Sequence, residues 1–315
     1  MTNDFQNPQP PVEDNKQEPG MFSTLPPLTT AFIALFGIFL LYQIGGAAIT
    51  FLIFGLNFEK ADVTALRLLT MGGQILFILL PTLIFARAVY HHNTTFILRM
   101  KIPKMREIGL FVIGLILLLP LLQNIMYIQN FLIQKLASSE FLFKKIVDLL
   151  DQIDKLVDQT YGNLLTAHSV FEGSFIVFVV AVIPALCEET LFRGLVQKSF
   201  EQKLGPLWSI LITALFFGLY HFNPYGLIPL IALGSYFGYA AYVSDSIFVP
   251  MSLHFTNNLL SVLVFMILGD DELVNTPIAR NIQITPHLIS FVVLSTLFFS
   301  YILFVKKNYH KLVSN

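Results

Sequence analysis

Eight apolar runs dominate the sequence, most of them long enough to cross a bilayer as a helix. About 20 residues at about 1.5 Å per residue cover the roughly 30 Å hydrocarbon layer. Inside lipid every backbone N–H and C=O must find a partner within the protein, which helices of this length achieve on their own. The runs lie near residues 31–56, 68–90, 107–129, 174–196, 206–221, 225–242, 247–268 and 286–305. Charged residues make up 12% of the chain and hydrophobic ones 55%. That charge is about half the usual share of a soluble domain. A soluble globule is excluded. The expected fold is all-α, a polytopic membrane bundle of about eight transmembrane helices.

Other composition limits are brief. The formal net charge of -1 implies no nucleic-acid partner. One cysteine, Cys187, allows neither an intrachain disulfide nor a cysteine-based metal cluster. No cleavable signal peptide is expected, because the first apolar run begins near residue 31 and is long enough to span.

The runs divide the chain. Residues 1–30 are a polar tail rich in Pro, Asn and Gln, read as disordered. Residues 31–137 hold three spans, with Pro81 expected to kink the second and Gln123 and Asn124 expected to be buried in the third. Residues 138–172 form an extracytoplasmic amphipathic segment. There Ile146, Leu149, Leu150 and Ile153 recur at helical spacing against Asp148, Asp151 and Asp154. A helix lying on the membrane surface is the expectation, and a lid is the functional alternative. Residues 173–268 are four spans, the expected catalytic core, with Gly234 and Gly238 as a small-residue packing face. Residues 269–315 are an acidic loop (Asp270, Asp271, Glu272), a last span and a basic tail.

An even number of spans puts both termini on one side. Three cationic clusters fall on that side: Arg99/Lys101/Lys104/Arg106, Lys198/Lys203 and Lys306/Lys307/Lys311. Positive residues favour the cytoplasmic face. The expectation is a multi-pass protein of the bacterial inner membrane with both termini cytoplasmic.

The fourth run carries charges that a lipid-facing helix cannot. Glu188, Glu189 and Arg193 lie within Ala185–Arg193, and a charge at membrane depth costs roughly 2.5–3.5 kcal/mol on insertion scales. Glu189 and Arg193 are i, i+4 and can neutralise each other, which leaves Glu188, about 100° round the helix, to face the bundle interior. Two further polar pairs share this spacing, Phe217/His221 and His254/Asn258. Glu188 precedes Gly205 by 17 residues and His221 follows it by 16. A helical hairpin there would place both about 25 Å from the turn and face to face. His254 reaches the same depth only if the hairpin tip projects about 10 Å beyond the turn at Ser246.

A Glu–His–His–Asn cluster in a dry bundle suits three tasks. A carboxylate and an imidazole can take a proton from water. Glu188, His221 and His254 could instead hold a divalent ion, zinc by ligand type, that activates the water. His254 and Asn258 can donate to an oxyanion. A nucleophilic Cys187 has no base at helical spacing and reads as a core residue.

These residues resemble the CAAX protease and bacteriocin-processing (CPBP, or Abi) family of intramembrane endopeptidases. The family pattern stands here as Glu188-Glu189-x-x-x-Arg193, Phe217-x-x-x-His221 and His254-x-x-x-Asn258. The resemblance covers about residues 174–265. It implies that Glu188 activates water with help from His221, that His254 and Asn258 stabilise the oxyanion or help hold a metal, and that Glu189, Arg193 and Phe217 support the site. It implies a membrane-associated protein or peptide as substrate, the lipid bilayer as setting, and either a metal or a metal-free glutamate mechanism. The competing class is non-enzymatic: a bacteriocin-immunity or scaffold protein, or a proton-coupled transporter, which would also bury Glu and His. No inverted repeat supports the transporter.

Overall fold

The structure, a computed structural model, describes residues 25–55, 62–138, 141–268 and 283–314. The polar tail up to residue 24 and the acidic loop lie outside the described residues. Among the described residues the chain is helical, and its only extended pairing is an isolated bridge between Met100 and Ser246. Helices α1 (Pro27–Phe54), α2 (Val63–Ile97) and α3 (Met105–Ala137) come first. The amphipathic α4 (Phe141–Leu165) follows. Then come α5 (Val170–Leu219), α6 (Leu227–Ser244), α7 (Phe248–Leu268) and α8 (Ile284–Ser314). Seven of these helices are long and apolar enough to cross a membrane, and the chain is an integral multi-pass membrane protein.

Seven helices account for eight apolar runs because α5 holds two of them. Its 50 residues would run about 75 Å if straight, far beyond a bilayer. The helix instead breaks at Gly205, where φ is +71°, just before Pro206. A positive φ is open to glycine at little cost, and proline cannot continue the backbone ladder. The two arms fold back on each other: the Phe192 and Phe217 rings meet edge to face at 5.4 Å. Residues 197–204, expected as a connection, are helical up to the break.

Two helices carry a wide turn just before a proline. Pro81 and Pro184 each follow a wide π-turn, Ile75–Leu79 and Phe178–Val182, by two residues. A π-turn admits the extra residue that relieves the clash of the proline ring with the preceding turn. A third π-turn, Thr190–Val196, follows Glu189 directly. The short α-helical turn bearing Glu188 and Glu189 is thus bracketed by two irregular segments.

Two larger cores and a smaller cluster of Leu165, Ile176, Val262 and Phe265 hold the bundle. One joins α1, α2 and α5 through Ala31, Leu35, Ile78, Cys187, Phe192 and Phe217. The other joins α3, α6, α7 and α8 through Phe111, Leu115, Phe237, Leu253 and Phe298. Gly234 and Gly238 connect them in a specific way. Arg193 Nη2 donates to the Gly234 carbonyl and Gln197 Nε2 to the Gly238 carbonyl, both at 3.0 Å. An i, i+4 pair on α5 therefore docks on an i, i+4 pair on α6. A Cβ at Gly234 would stand 3.0 Å from the Phe217 ring and 3.2 Å from Arg193 Nη2, so the bare backbone admits the guanidinium.

Two expectations are corrected. Gln123 faces outward and is exposed, while Asn124 is half-buried and donates to the Pro120 carbonyl at 2.8 Å. Arg99 is not a free loop cation: it is 2% exposed. It donates to the Arg193 carbonyl at 3.1 Å, the Ala241 carbonyl at 3.2 Å and Asp245 at 2.8 Å, and pairs with Glu201. A planar guanidinium with five donors suits such a junction better than an ammonium. Lys198 joins the same cluster at Asp245, 2.8 Å away.

One side of α4 is exposed, and its C-terminal end is tied to the bundle. Ile146 and Leu149 on α4 are exposed. Its end is fixed by the buried Arg67 of α2, which donates to the Leu164 carbonyl at 3.0 Å and the Thr166 carbonyl at 2.5 Å. Carbonyls at a helix C-terminus lack intrahelical donors and favour a cation. Asp151 anchors the middle of α4 by accepting from the Tyr225 hydroxyl. Burial, together with this bond to Asp151, holds the Tyr225 phenol well above its usual range, so it stays a neutral donor.

Candidate active site

Pro184 begins the local structure that presents the two glutamates. It has no N–H to offer the Val180 carbonyl four residues earlier. Asn258 of α7 supplies the missing donor: its Nδ2 lies 2.9 Å from the Val180 carbonyl. Asn257 Nδ2 in turn donates to Asn258 Oδ1 at 3.0 Å. One N–H of Asn258 therefore completes the broken backbone of α5, and the second remains for the cavity that Asn258 also lines.

Glu189 is fully buried. One of its oxygens, Oε1, accepts from Arg193 Nη1 and from His254 Nδ1, each at 2.8 Å. The pairing with Arg193 follows the i, i+4 spacing. The second partner, from α7, does not show in the spacing. Arg193 stacks on the Phe217 ring, 4.3 Å from its centroid, and Phe192 and Phe237 flank it. Phe217 thus covers a desolvated cation, a contact stronger in a dry site than in water. With Nδ1 donating to Glu189, His254 is left with Nε2 as its only free ring nitrogen.

His221 sits just past the end of α5. The His221 N–H turns to Gly218, leaving the Phe217 carbonyl open to the imidazole, whose Nδ1 donates to it at 2.6 Å. A carbonyl only accepts, so this bond fixes the proton on Nδ1 and leaves the Nε2 lone pair free. Nε2 lies 4.0 Å from Glu188 Oε2, and the two groups face each other as the hairpin count predicts. Glu188 Oε2 is buried and has no hydrogen-bond partner among the described residues. Two acceptors oppose each other beyond hydrogen-bond range, an arrangement that fits a molecule able to donate to both.

A cavity of about 470 Å³ joins these groups. Glu188, His221, His254 and Asn258 all line it. Its other walls come from outside the sequence motifs: Ile38 and Phe39 of α1, Thr70, Gln74 and Ile78 of α2, and Leu164 and Leu165 at the end of α4. The volume and the apolar lining suit a drug-sized or peptide-sized ligand. Thr70 and Gln74 are i, i+4 on the second span, so that polar pair was the available sequence signal. Nothing in the sequence marks Ile38 or Leu164 as cavity residues.

The residues expected as metal ligands do not converge as a set. Among the described residues no three His, Cys, Asp or Glu side chains form a group that could hold an ion. Glu188 and His221 make a pair, and the engaged nitrogen of His254 is directed to Glu189. Cys187 is fully buried in the first core.

Residues 171–260 match the family described as Rce1-like, type II CAAX prenyl endopeptidase. The matched segment runs from the start of α5 into α7 and contains every site residue named from the sequence. No curated protein and no solved structure matches the chain.

Proposed function

We propose, from the match of residues 171–260 to the Rce1-like CAAX prenyl endopeptidase family, that the chain is an intramembrane endopeptidase that hydrolyses a peptide bond of a membrane-associated protein or peptide. The observation that carries this reading is the buried Glu188 Oε2, unpartnered among the described residues, facing the free Nε2 of His221 across 4.0 Å in the cavity.

The chemistry follows from the donors and acceptors. A water between the two groups gives one hydrogen to each acceptor, and its lone pair is directed at the substrate. As the water oxygen bonds to the peptide carbonyl carbon, Glu188 takes the water proton. The carbonyl π electrons move to oxygen and form the oxyanion. The second N–H of Asn258 is one donor for that charge. His254 is the other when Nε2 carries a proton. The intermediate then collapses: the C–N bond breaks, the proton on Glu188 passes to the leaving nitrogen, and a carboxyl and an amine leave. Fixed donors aimed at developing charge in a dry site are worth several kcal/mol, and a placed general base typically adds 10²–10⁴-fold.

The protein would lie in the bacterial inner membrane with both termini cytoplasmic, held by the lysines of α8 and of residues 101–104. Membrane-peptide profiling of cells with and without an intact Glu188 tests the reading. Glu188→Ala and His221→Ala should each remove cleavage products while the protein still inserts. Unchanged products in both variants would overturn it and return the chain to a scaffold role. The same assay with a chelator, followed by zinc, separates the two ways of activating water. Activity that persists supports Glu188 and His221 alone, whereas loss and rescue support a bound metal.

A further inference from the structure

Gln74 of α2 lies outside the matched segment and outside every motif, yet it lines the cavity with Glu188 and His254. It is 7% exposed. It stands where α2 passes into the Ile75–Leu79 π-turn, and that turn packs against the Ile183–Glu189 turn bearing Glu188. Its Oε1 is buried, and the side chain makes no hydrogen bond among the described residues. Thr70, one turn earlier on the same face, donates its hydroxyl to the Leu66 carbonyl at 2.9 Å and offers Gln74 nothing.

The other amides of the site donate to backbone: Gln197 to Gly238, Asn258 to Val180. Gln74 has no such bond within the bundle. An amide left unpaired in a dry interior is destabilising, and an apolar side chain of the same shape would not be. The group is therefore better matched to a ligand than to the fold.

We propose that Gln74 is a substrate-binding residue that holds the backbone of an extended peptide in the cavity. Its Oε1 accepts from a substrate N–H and its Nε2 donates to a substrate C=O. A carboxamide presents one acceptor and one donor side by side. An extended residue presents its own N–H and C=O on one edge, as in a strand pair. A hydrocarbon tail would gain nothing from this group, so the α2 wall is assigned to the peptide part of the substrate. The inference rests on the endopeptidase reading above.

The test uses the full chain in lipid nanodiscs and a fluorogenic farnesylated peptide. A companion set of that peptide has single backbone N–H groups replaced by ester oxygens. Gln74→Met keeps the shape and removes the amide. It should lower kcat/KM about tenfold, mainly through KM, with Tm equal to or above that of the unmodified protein. One ester position should cost the unmodified protein a similar factor and cost Gln74→Met nothing. A kcat/KM unchanged in Gln74→Met, an ester penalty equal in both proteins, or a marked fall in Tm overturns the inference. If Glu188→Ala is inactive in the same experiment, the endopeptidase reading survives that outcome. An unmodified protein inert on the peptide set overturns both.

Discussion

Glu188 and Glu189 are neighbours with opposite surroundings, and the difference lies in what each oxygen touches. Glu189 is held by a guanidinium and an imidazole in a fully buried site. Removing one partner of a buried ion pair strands the other charge and costs about 3–5 kcal/mol. Arg193→Ala should therefore reduce folded yield and thermal stability sharply, whereas Glu188→Ala should abolish cleavage with little loss of stability. Thermal unfolding in detergent beside the cleavage assay separates the two. Asn258 offers a sharper test, since it bonds the carbonyl that Pro184 cannot serve. Asn258→Ala should cost about 1–3 kcal/mol for the carbonyl it leaves open. Combined with Pro184→Ala, which restores an N–H to that turn, the cost should shrink by about 1 kcal/mol, a coupling measured by a double-mutant cycle. Independent costs for the two changes would refute the pairing.

At the level of the helices, the site depends on how α5 meets α6 and on how α4 closes over the cavity. The Arg193–Gly234 and Gln197–Gly238 contacts require bare backbone on α6. Gly234→Ala would press on the Phe217 ring, Arg193 and the Ala214 backbone together. Overpacking of this kind typically costs 1–3 kcal/mol, and the displaced Arg193 should weaken its hold on Glu189. The expected outcome is lower Tm and lower activity together, in contrast to Glu188→Ala. For α4, Arg67 is the clasp. Arg67→Ala leaves the Leu164 and Thr166 carbonyls without that donor, and faster hydrogen exchange across residues 160–166 is expected. Unchanged exchange there would show that Arg67 does not hold the cap.

Across the whole molecule, the Gly205 hairpin and the α4 cap lie at opposite ends of the bundle. In the orientation proposed above, with the basic ends cytoplasmic, His221 and the cap would face the extracytoplasmic half of the bilayer. The sole cysteine, Cys187, is fully buried, so background labelling should be low. Lys203→Cys should react with a membrane-impermeant thiol reagent only after the membrane is opened, and Phe222→Cys in intact spheroplasts. The reverse pattern would invert the orientation. Two cations used for that orientation, Arg99 and Lys198, are internally paired. The lysines at residues 101–104 and along α8 are therefore the cations that bear on the orientation.

The sequence by itself determined the membrane bundle, because apolar runs of spanning length have few other solutions in lipid. It also determined the opposition of Glu188 and His221. Counting residues from Gly205 is enough once a helix has a fixed rise and the turn is known. Pairings at i, i+4 were legible for the same reason: they are local. Contacts between helices distant in the chain were not. The bond of Glu189 to His254, the capping of Val180 by Asn258 and the burial of Arg99 depend on which faces of α2, α5, α6 and α7 meet. The apolar cavity walls from α1 and α4 carry no local signal, because an apolar residue facing a cavity and one facing lipid read alike. Only tertiary packing distinguished them, and with them Gln74, a cavity-lining amide without a hydrogen-bond partner among the described residues.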